Sequence, residues 1–411
     1  MNDLDRAAAR ARQLADQRFP GEPGVRDLLA VAADADAARS DRGTALRLLG
    51  AVLGEALVGP RIVHLDVIGA CNSNCIYCRD HSPYLHDREP WRAMEMPFDL
   101  AARLIDEAVE LGAELIPVVG AGENLLHSRF ADLVKLLKTK PVRFEVFTNG
   151  LDWDDETIAL FADAPNALVA FSLSAATPAT WAAFRPEAAP ELFTRIEQTI
   201  RALIARRGAG LRVAIVHVLN KLNVREVLPM IRHAIALGVD EVEFKLTEIN
   251  DAARSLKLDA PEVESIRREL REARRLAALA GVDIHDNIEF QLERLDPETG
   301  LYTVGLYDEI PCHAGFEMIR VRRDGRISFC CGLKFVGDAR TTTLAEHWSG
   351  AEMQAARNAA LAMPRGANRW LPDGGMLRDP QCDYCYNYLF NVQAWHRARQ
   401  AGVAHLLLGK T

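Results

Sequence analysis

Between residues 61 and about 285 the chain alternates short apolar runs with longer stretches whose apolar residues recur every three to four positions. The short runs, 62–68, 114–120, 142–148, 167–174, 211–219 and 240–247, have the length and the Val, Ile, Leu and Phe content of strands. The longer stretches, 97–111, 127–138, 154–164, 190–207 and 224–237, read as helices; in the first, Leu100, Leu104, Ile105, Ala108 and Leu111 form one apolar stripe. A sixth helix begins at Asp259 and Pro261 and runs to about Ala280. At Leu111-Gly112 and Leu237-Gly238 a glycine stands where helix gives way to strand, ready for the left-handed closing conformation. Six strand–helix units in series predict an α/β fold, a parallel sheet with helices outside.

Alternation within the strands separates two faces. Val63, Leu65 and Val67 oppose His64 and Asp66; Val169, Phe171 and Leu173 oppose Ser172 and Ser174; Val242, Phe244 and Leu246 oppose Glu243, Lys245 and Thr247. The apolar set is expected under the helices and the polar set on the inner face, where it suits a hydrophilic substrate. An ion pair between Glu243 and Lys245 is the plainer account of those two residues.

Both ends of the chain break the alternation. Residues 1–59 read as helices: Leu46, Leu49, Leu53 and Leu57 recur at helical spacing, and Gly59-Pro60 stops the run. Beyond residue 286, Phe316–Arg323 and Arg326–Cys330 flank Asp324-Gly325, a hairpin signal. A helix-like stretch at 343–362, a loop and a C-terminal helix follow. Three segments are expected: helices over 1–60, the strand–helix domain over 61–285 and a smaller domain over 286–411.

Composition changes this picture little. The 411 residues are 49% hydrophobic and 26% charged, the balance of an ordinary globular chain. A net charge of −8 gives no electrostatic reason to expect nucleic acid. No apolar run has the length of a membrane span, and the charged N-terminal stretch lacks the apolar core of a secretory signal. A cytoplasmic, reducing location is expected, in which eight cysteines read as ligands or catalysts rather than disulfides.

Three of them stand in the string CNSNCIYC, with Cys71, Cys75 and Cys78 separated by three and two residues. Two metal chemistries fit. Three thiolates can hold three irons of a [4Fe–4S] cube and leave the fourth open to a small molecule. Alternatively His81, three residues beyond Cys78, joins them as the fourth ligand of a structural zinc ion. With Tyr77 before the third cysteine, the motif resembles the signature of the radical S-adenosylmethionine (SAM) superfamily. The resemblance implies a partial (β/α)6 barrel with its site at the C-terminal ends of the strands. It implies reductive cleavage of SAM to a 5′-deoxyadenosyl radical that abstracts hydrogen, and a flavodoxin- or ferredoxin-type electron donor.

Further residues follow from the same resemblance. The family's Gly-Gly-Glu stretch after the second strand reads Ala121-Gly122-Glu123-Asn124 here, so Gly122 and Glu123 are the candidates to hold the SAM amino group. Asn149 ends the third strand, Ser172 and Ser174 end the fourth, and Arg185 follows. These polar groups suit the SAM carboxylate and ribose, and a guanidinium can grip a carboxylate with two bonds. Each also has a plain reading as a surface or strand-end residue.

Five cysteines lie beyond residue 286. Seventeen residues separate Cys312 from Cys330, Gly325 stands five before Cys330, and Cys382-Asp383-Tyr384-Cys385 closes the set. The opening resembles the SPASM/twitch extension of radical SAM enzymes, although no cysteine follows Cys385. The shorter twitch form, with one auxiliary [4Fe–4S] cluster on Cys312, Cys330, Cys382 and Cys385, fits the count; a four-cysteine zinc site is the alternative. The layout is similar to that of the radical SAM aminocyclitol dehydrogenase of butirosin biosynthesis. That likeness implies an oxidoreductase of natural-product biosynthesis, with the auxiliary cluster taking an electron as an alcohol of a cyclitol or sugar-like metabolite becomes a ketone. Lys245, His217 and Glu248 are candidate bases from strand ends, and His217 also reads as a core histidine. Three other functions stay open: a peptide maturase forming a thioether or C–C crosslink, an epimerase using the spare Cys331 as hydrogen donor, and a non-catalytic zinc protein.

Overall fold

The structure, a computed structural model, describes residues 3–85, 90–286 and 288–409. Its strands are β1 Ile62–Leu65, β2 Leu115–Val118, β3 Arg143–Thr148, β4 Ala167–Ser172, β5 Leu211–Leu219, β6 Glu241–Leu246, β7 Asp283–Asp286, β8 Met318–Val321, β9 Arg326–Ser328 and β10 Phe335–Asp338. The chain divides into two compact units, one of residues 1–64, 103–114 and 303–411, the other of 65–102 and 115–302.

In the second unit, β2 to β7 pair in chain order and all in parallel. The first five of these strands fall on expected runs; β7 was not anticipated. Four letters of Asp-Ile-His-Asp carry too little alternation to announce a strand. The helices Phe130–Lys138, Asp155–Ala162, Glu191–Arg206, Val227–Leu237 and Ala260–Ala280 lie within the expected stretches. Asp259 caps the last of them in a reciprocal capping box with Glu262. Gly238 takes φ of 81° and closes its helix with bonds to Ala234 and Ile235, as the sequence led one to expect.

The α/β fold follows from the two faces of these strands. Val169, Phe171, Val213, Ile215 and Phe244 have no exposed surface. On the other face Ala170, Ala214 and Val216 pack with Phe147 and Leu168, leaving polar residues such as Ser172 and Lys245 further along. Burying one complete apolar face fixes the register, because a slip of one residue would turn it to the polar side.

In the first unit the helices Asp3–Arg18, Pro23–Ala33 and Arg39–Leu53 share a core with Phe316, Leu361, Ala398, Val403 and Leu407. Residues 1–60 and the cysteine-bearing C-terminal segment therefore belong to one compact unit, while 286–302 group with the parallel sheet. The third helix ends at Leu53 and not at the Gly59-Pro60 pair. β8 and β9 form the expected antiparallel hairpin about Asp324-Gly325, and β10 adds to β9.

Candidate active site

Cys71, Cys75 and Cys78 lie on an irregular loop that two side chains pin from within. Ile76 is buried against Phe184, Ala253 and Leu256, and its N–H donates to the Phe184 carbonyl at 3.0 Å. The Tyr77 hydroxyl shares a 3.0 Å hydrogen bond with Ser174 Oγ. These contacts anchor the two residues between Cys75 and Cys78. The N–H groups of Asp80 and His81 point at Cys78 Sγ, 3.4 and 3.2 Å away, and Ser73 Oγ is 3.2 Å from Cys75 Sγ. Burial pushes the Cys71 thiol up to about 12, and Cys75 stands near enough to raise both Cys71 and Cys78 further. His81 Nε2 is hydrogen-bonded to the Gly69 carbonyl at 2.9 Å.

Beside this loop runs the Ala121–Asn124 turn. Gly122 N–H donates to Ile68 and Glu123 N–H to Ala70, at 3.1 and 2.8 Å. A Cβ on Gly122 would lie 2.2 Å from the Ala70 carbonyl oxygen, so only glycine permits this approach. Glu123 is buried and accepts from Thr148 Oγ1 at 2.8 Å and from Asn149 N–H at 2.6 Å. Burial raises its carboxyl to about 7, although these donors hold it down. Asn149 reaches back to Asn72 at 2.7 Å, tying the end of β3 to the cysteine loop. Asn124 donates to the carbonyls of Val118 and Phe147 and joins the ends of β2 and β3.

Arg185 is buried over the Trp181 ring, and its Nη2 donates to the Ser172 carbonyl at 3.1 Å. Its Nε and Nη1 are buried with no hydrogen-bond partner. Ser174 takes φ of 57° and is wholly buried. Its hydroxyl serves Tyr77 and the Val218 N–H, so it positions the loop and is not presented to a ribose.

The three candidate bases separate. Lys245 faces inward and pairs with Glu243 at 3.1 Å, the ion pair the alternation allowed. Glu248, just past β6, is buried with Arg79 at 3.8 Å. His217 is a correction. It stands opposite Phe244 in the β5–β6 register, stacks on that ring at 5.4 Å and is wholly buried. Desolvation drops its imidazole to about 3, so it is a neutral core residue. Alternation along β5, with Val213 and Ile215 on its side, carried that signal. An open cavity of about 880 Å³ adjoins the cysteine loop, lined by Arg79, Trp91, Arg92, Asp251 and Arg254 among others.

Residues 65–234 match the profile of the Radical SAM superfamily. The chain carries a radical SAM domain. A modifying protein of the tungsten-containing aldehyde ferredoxin oxidoreductase cofactor, from Pyrococcus furiosus, is 28% identical over 114 residues. That alignment covers 28% of this chain and 30% of the relative, so it reaches under a third of either protein. Streptococcus suis SuiB bound to S-adenosylmethionine superposes with a TM-score of 0.59 at 12% identity, over 87% of this chain and 84% of SuiB. Its complex with the precursor peptide SuiA gives 0.57 at 14%, over 86% and 83%. The enzyme anSMEcpe with bound AdoMet gives 0.56 at 14%, over 85% and 98%. At these identities the superpositions establish the fold.

A radical SAM domain implies SAM and one [4Fe–4S] cluster, and the three-thiol loop fits that cluster. It offers sulfur donors, N–H groups aimed at sulfur, and a neighbouring turn with polar groups for the open position.

The other unit gathers the remaining cysteines. Cys382 and Cys385 each raise the Cys312 and Cys330 thiols, so the four share one locale. Thr303 fills the CxxC turn, donating to the Cys382 carbonyl at 2.8 Å and accepting from Cys385 N–H at 2.9 Å. The Tyr307 hydroxyl lies 3.0 Å from Cys385 Sγ. Cys331 is adjacent, with the Arg320 guanidinium on its carbonyl at 2.8 Å. Thr303 and Tyr307 went unseen in the sequence, since a lone Thr and Tyr some 80 residues before their partners carry no local pattern. Among the described residues, no helix is long and apolar enough to cross a membrane.

Proposed function

We propose that the protein is a SAM-dependent radical dehydrogenase acting on a hydroxyl-bearing hydrophilic metabolite. The observation that carries this reading is the gathering of four further cysteines, Cys312, Cys330, Cys382 and Cys385, within one compact unit. When bound, the first cluster supplies the electron that splits SAM into methionine and a 5′-deoxyadenosyl radical, and the second, held on all four irons, supplies an electron sink.

Within this reading Cys71, Cys75 and Cys78 hold the SAM-binding cluster. Glu123 orients the amino group of SAM, Arg185 supplies a positive charge for its carboxylate, and Asn149 borders its sugar. Oxidation of a secondary alcohol then balances as one hydrogen atom to the deoxyadenosyl radical, one proton to a base and one electron to the auxiliary site. Glu248 is the favoured proton acceptor, because Arg79 connects it to the wall of the cavity. A flavodoxin- or ferredoxin-type donor in a reducing, cytoplasmic setting completes the reading.

Metal content tests it without knowledge of the substrate. The anaerobically reconstituted chain is expected to hold about eight irons. A Cys382→Ala/Cys385→Ala chain should fall to about four and still cleave SAM under dithionite. A wild-type plateau near four irons, or stoichiometric zinc, would defeat the two-cluster reading. Peptide modification is the second reading, favoured by the likeness to SuiB in complex with SuiA; a short precursor-peptide gene beside this one would raise it above the first.

A further inference from the structure

We infer that Tyr307, acting through Cys385, sets the reduction potential of the auxiliary cluster. The inference rests on the two-cluster reading above and adds a positioning residue to it.

The hydrogen-bond directions around Tyr307 are forced. His313 N–H donates to Asn391 Oδ1 at 2.6 Å, which fixes the orientation of that amide. Asn391 Nδ2 therefore points at the Tyr307 oxygen, 2.7 Å away, and an amide nitrogen can only donate. The phenol oxygen is thus an acceptor toward Asn391, and its own hydrogen is left for Cys385 Sγ at 3.0 Å. Tyr307 and Asn391 are buried, so water does not compete for either group. The chain runs from the residue after Cys312 through Asn391 and Tyr307 to Cys385, and spans two of the four thiols.

A donor on a ligand sulfur favours the more negative oxidation state. One electron takes [4Fe–4S]2+ to [4Fe–4S]+, and part of the added charge falls on the thiolates. An O–H aimed at one of them stabilises the reduced form and raises the potential. The donor held by Asn391 polarises the phenol and strengthens that bond. An auxiliary site that must accept an electron gains from this arrangement.

The test uses a full-length chain carrying Cys71→Ala, Cys75→Ala and Cys78→Ala, in which only the auxiliary cluster forms. Its midpoint potential is read by electron paramagnetic resonance during a redox titration. Adding Tyr307→Phe keeps the ring and removes the hydroxyl, and the midpoint is expected to move negative with about four irons retained. An unmoved midpoint at full iron content overturns the inference and leaves the two-cluster reading standing. A triple-alanine chain that binds no cluster overturns the two-cluster reading itself. Should Tyr307→Phe fail to hold iron, electron–nuclear double resonance on the Tyr307 chain decides. Reconstitution in D₂O should remove one strongly coupled proton signal, and its absence in H₂O as well counts against the inference.

Discussion

Replacing Gly122 by alanine isolates one contact on which the cysteine loop and the Glu123 turn depend. The new methyl group would sit 2.2 Å from the Ala70 oxygen and 2.7 Å from the Ile68 oxygen. Ordinary contacts begin near 3.4 Å, so one backbone segment must move by about 1 Å. Both obstacles are main-chain carbonyls, which cannot swing aside as a side chain would. The same two carbonyls accept the N–H groups of Gly122 and Glu123, and the displacement breaks or stretches both bonds. Overpacking costs about 1–3 kcal/mol and each of the two lost hydrogen bonds about 1 kcal/mol, which totals roughly 3–5 kcal/mol. A shift of about 1 Å in Glu123 relative to the loop is expected to slow SAM cleavage by about 100-fold. The assay compares deoxyadenosine formation, SAM dissociation constant and thermal midpoint at matched iron content. Gly208→Ala is the control, since its added methyl would meet only the Ala162 oxygen at 3.4 Å. If Gly122→Ala and Gly208→Ala behave alike in all three measurements, the close approach at Gly122 does not matter and the argument fails.

Three further outcomes are expected. Cys71→Ala, Cys75→Ala and Cys78→Ala should each abolish SAM cleavage under dithionite; deoxyadenosine at the wild-type rate from any of them contradicts their assignment as ligands. Burial raises Glu123 from 4.5 to about 7, so its contribution to stability is present below about pH 4.5 and lost as pH rises through 7. Between about pH 5 and pH 8 the wild type should therefore lose on the order of 2–3 kcal/mol relative to Glu123→Gln. Parallel pH profiles of the two thermal midpoints would speak against the raised carboxyl. Cys331→Ser should keep both iron content and oxidation if the protein is a dehydrogenase. Solvent deuterium in an inverted, unoxidised product of the wild type would point to an epimerase.

The order of strands and helices could be read from the chain because periodicity is a local property. Apolar residues at 242, 244 and 246 declare a half-buried strand wherever that strand ends up, and the string CNSNCIYC brings its three thiols together by adjacency alone. β7 escaped notice because four residues offer too few periods to distinguish strand from loop. His217 could have been placed, since it shares a parity with Val213 and Ile215; its chemical type outweighed its position. What the sequence could not give were the partners that folding brings from a distance. Thr148 and Asn149 close on Glu123 because β2 and β3 pair in parallel register, and that register is settled by burial across the whole sheet. Asn391, Tyr307 and Cys385 meet only because separate segments of one unit pack together. Residue type and spacing narrowed the three-thiol loop to two metal chemistries, because sulfur ligands act wherever a short loop presents them. The tertiary structure decided which polar groups are desolvated beside them, since burial and hydrogen-bond direction are properties of the packed chain.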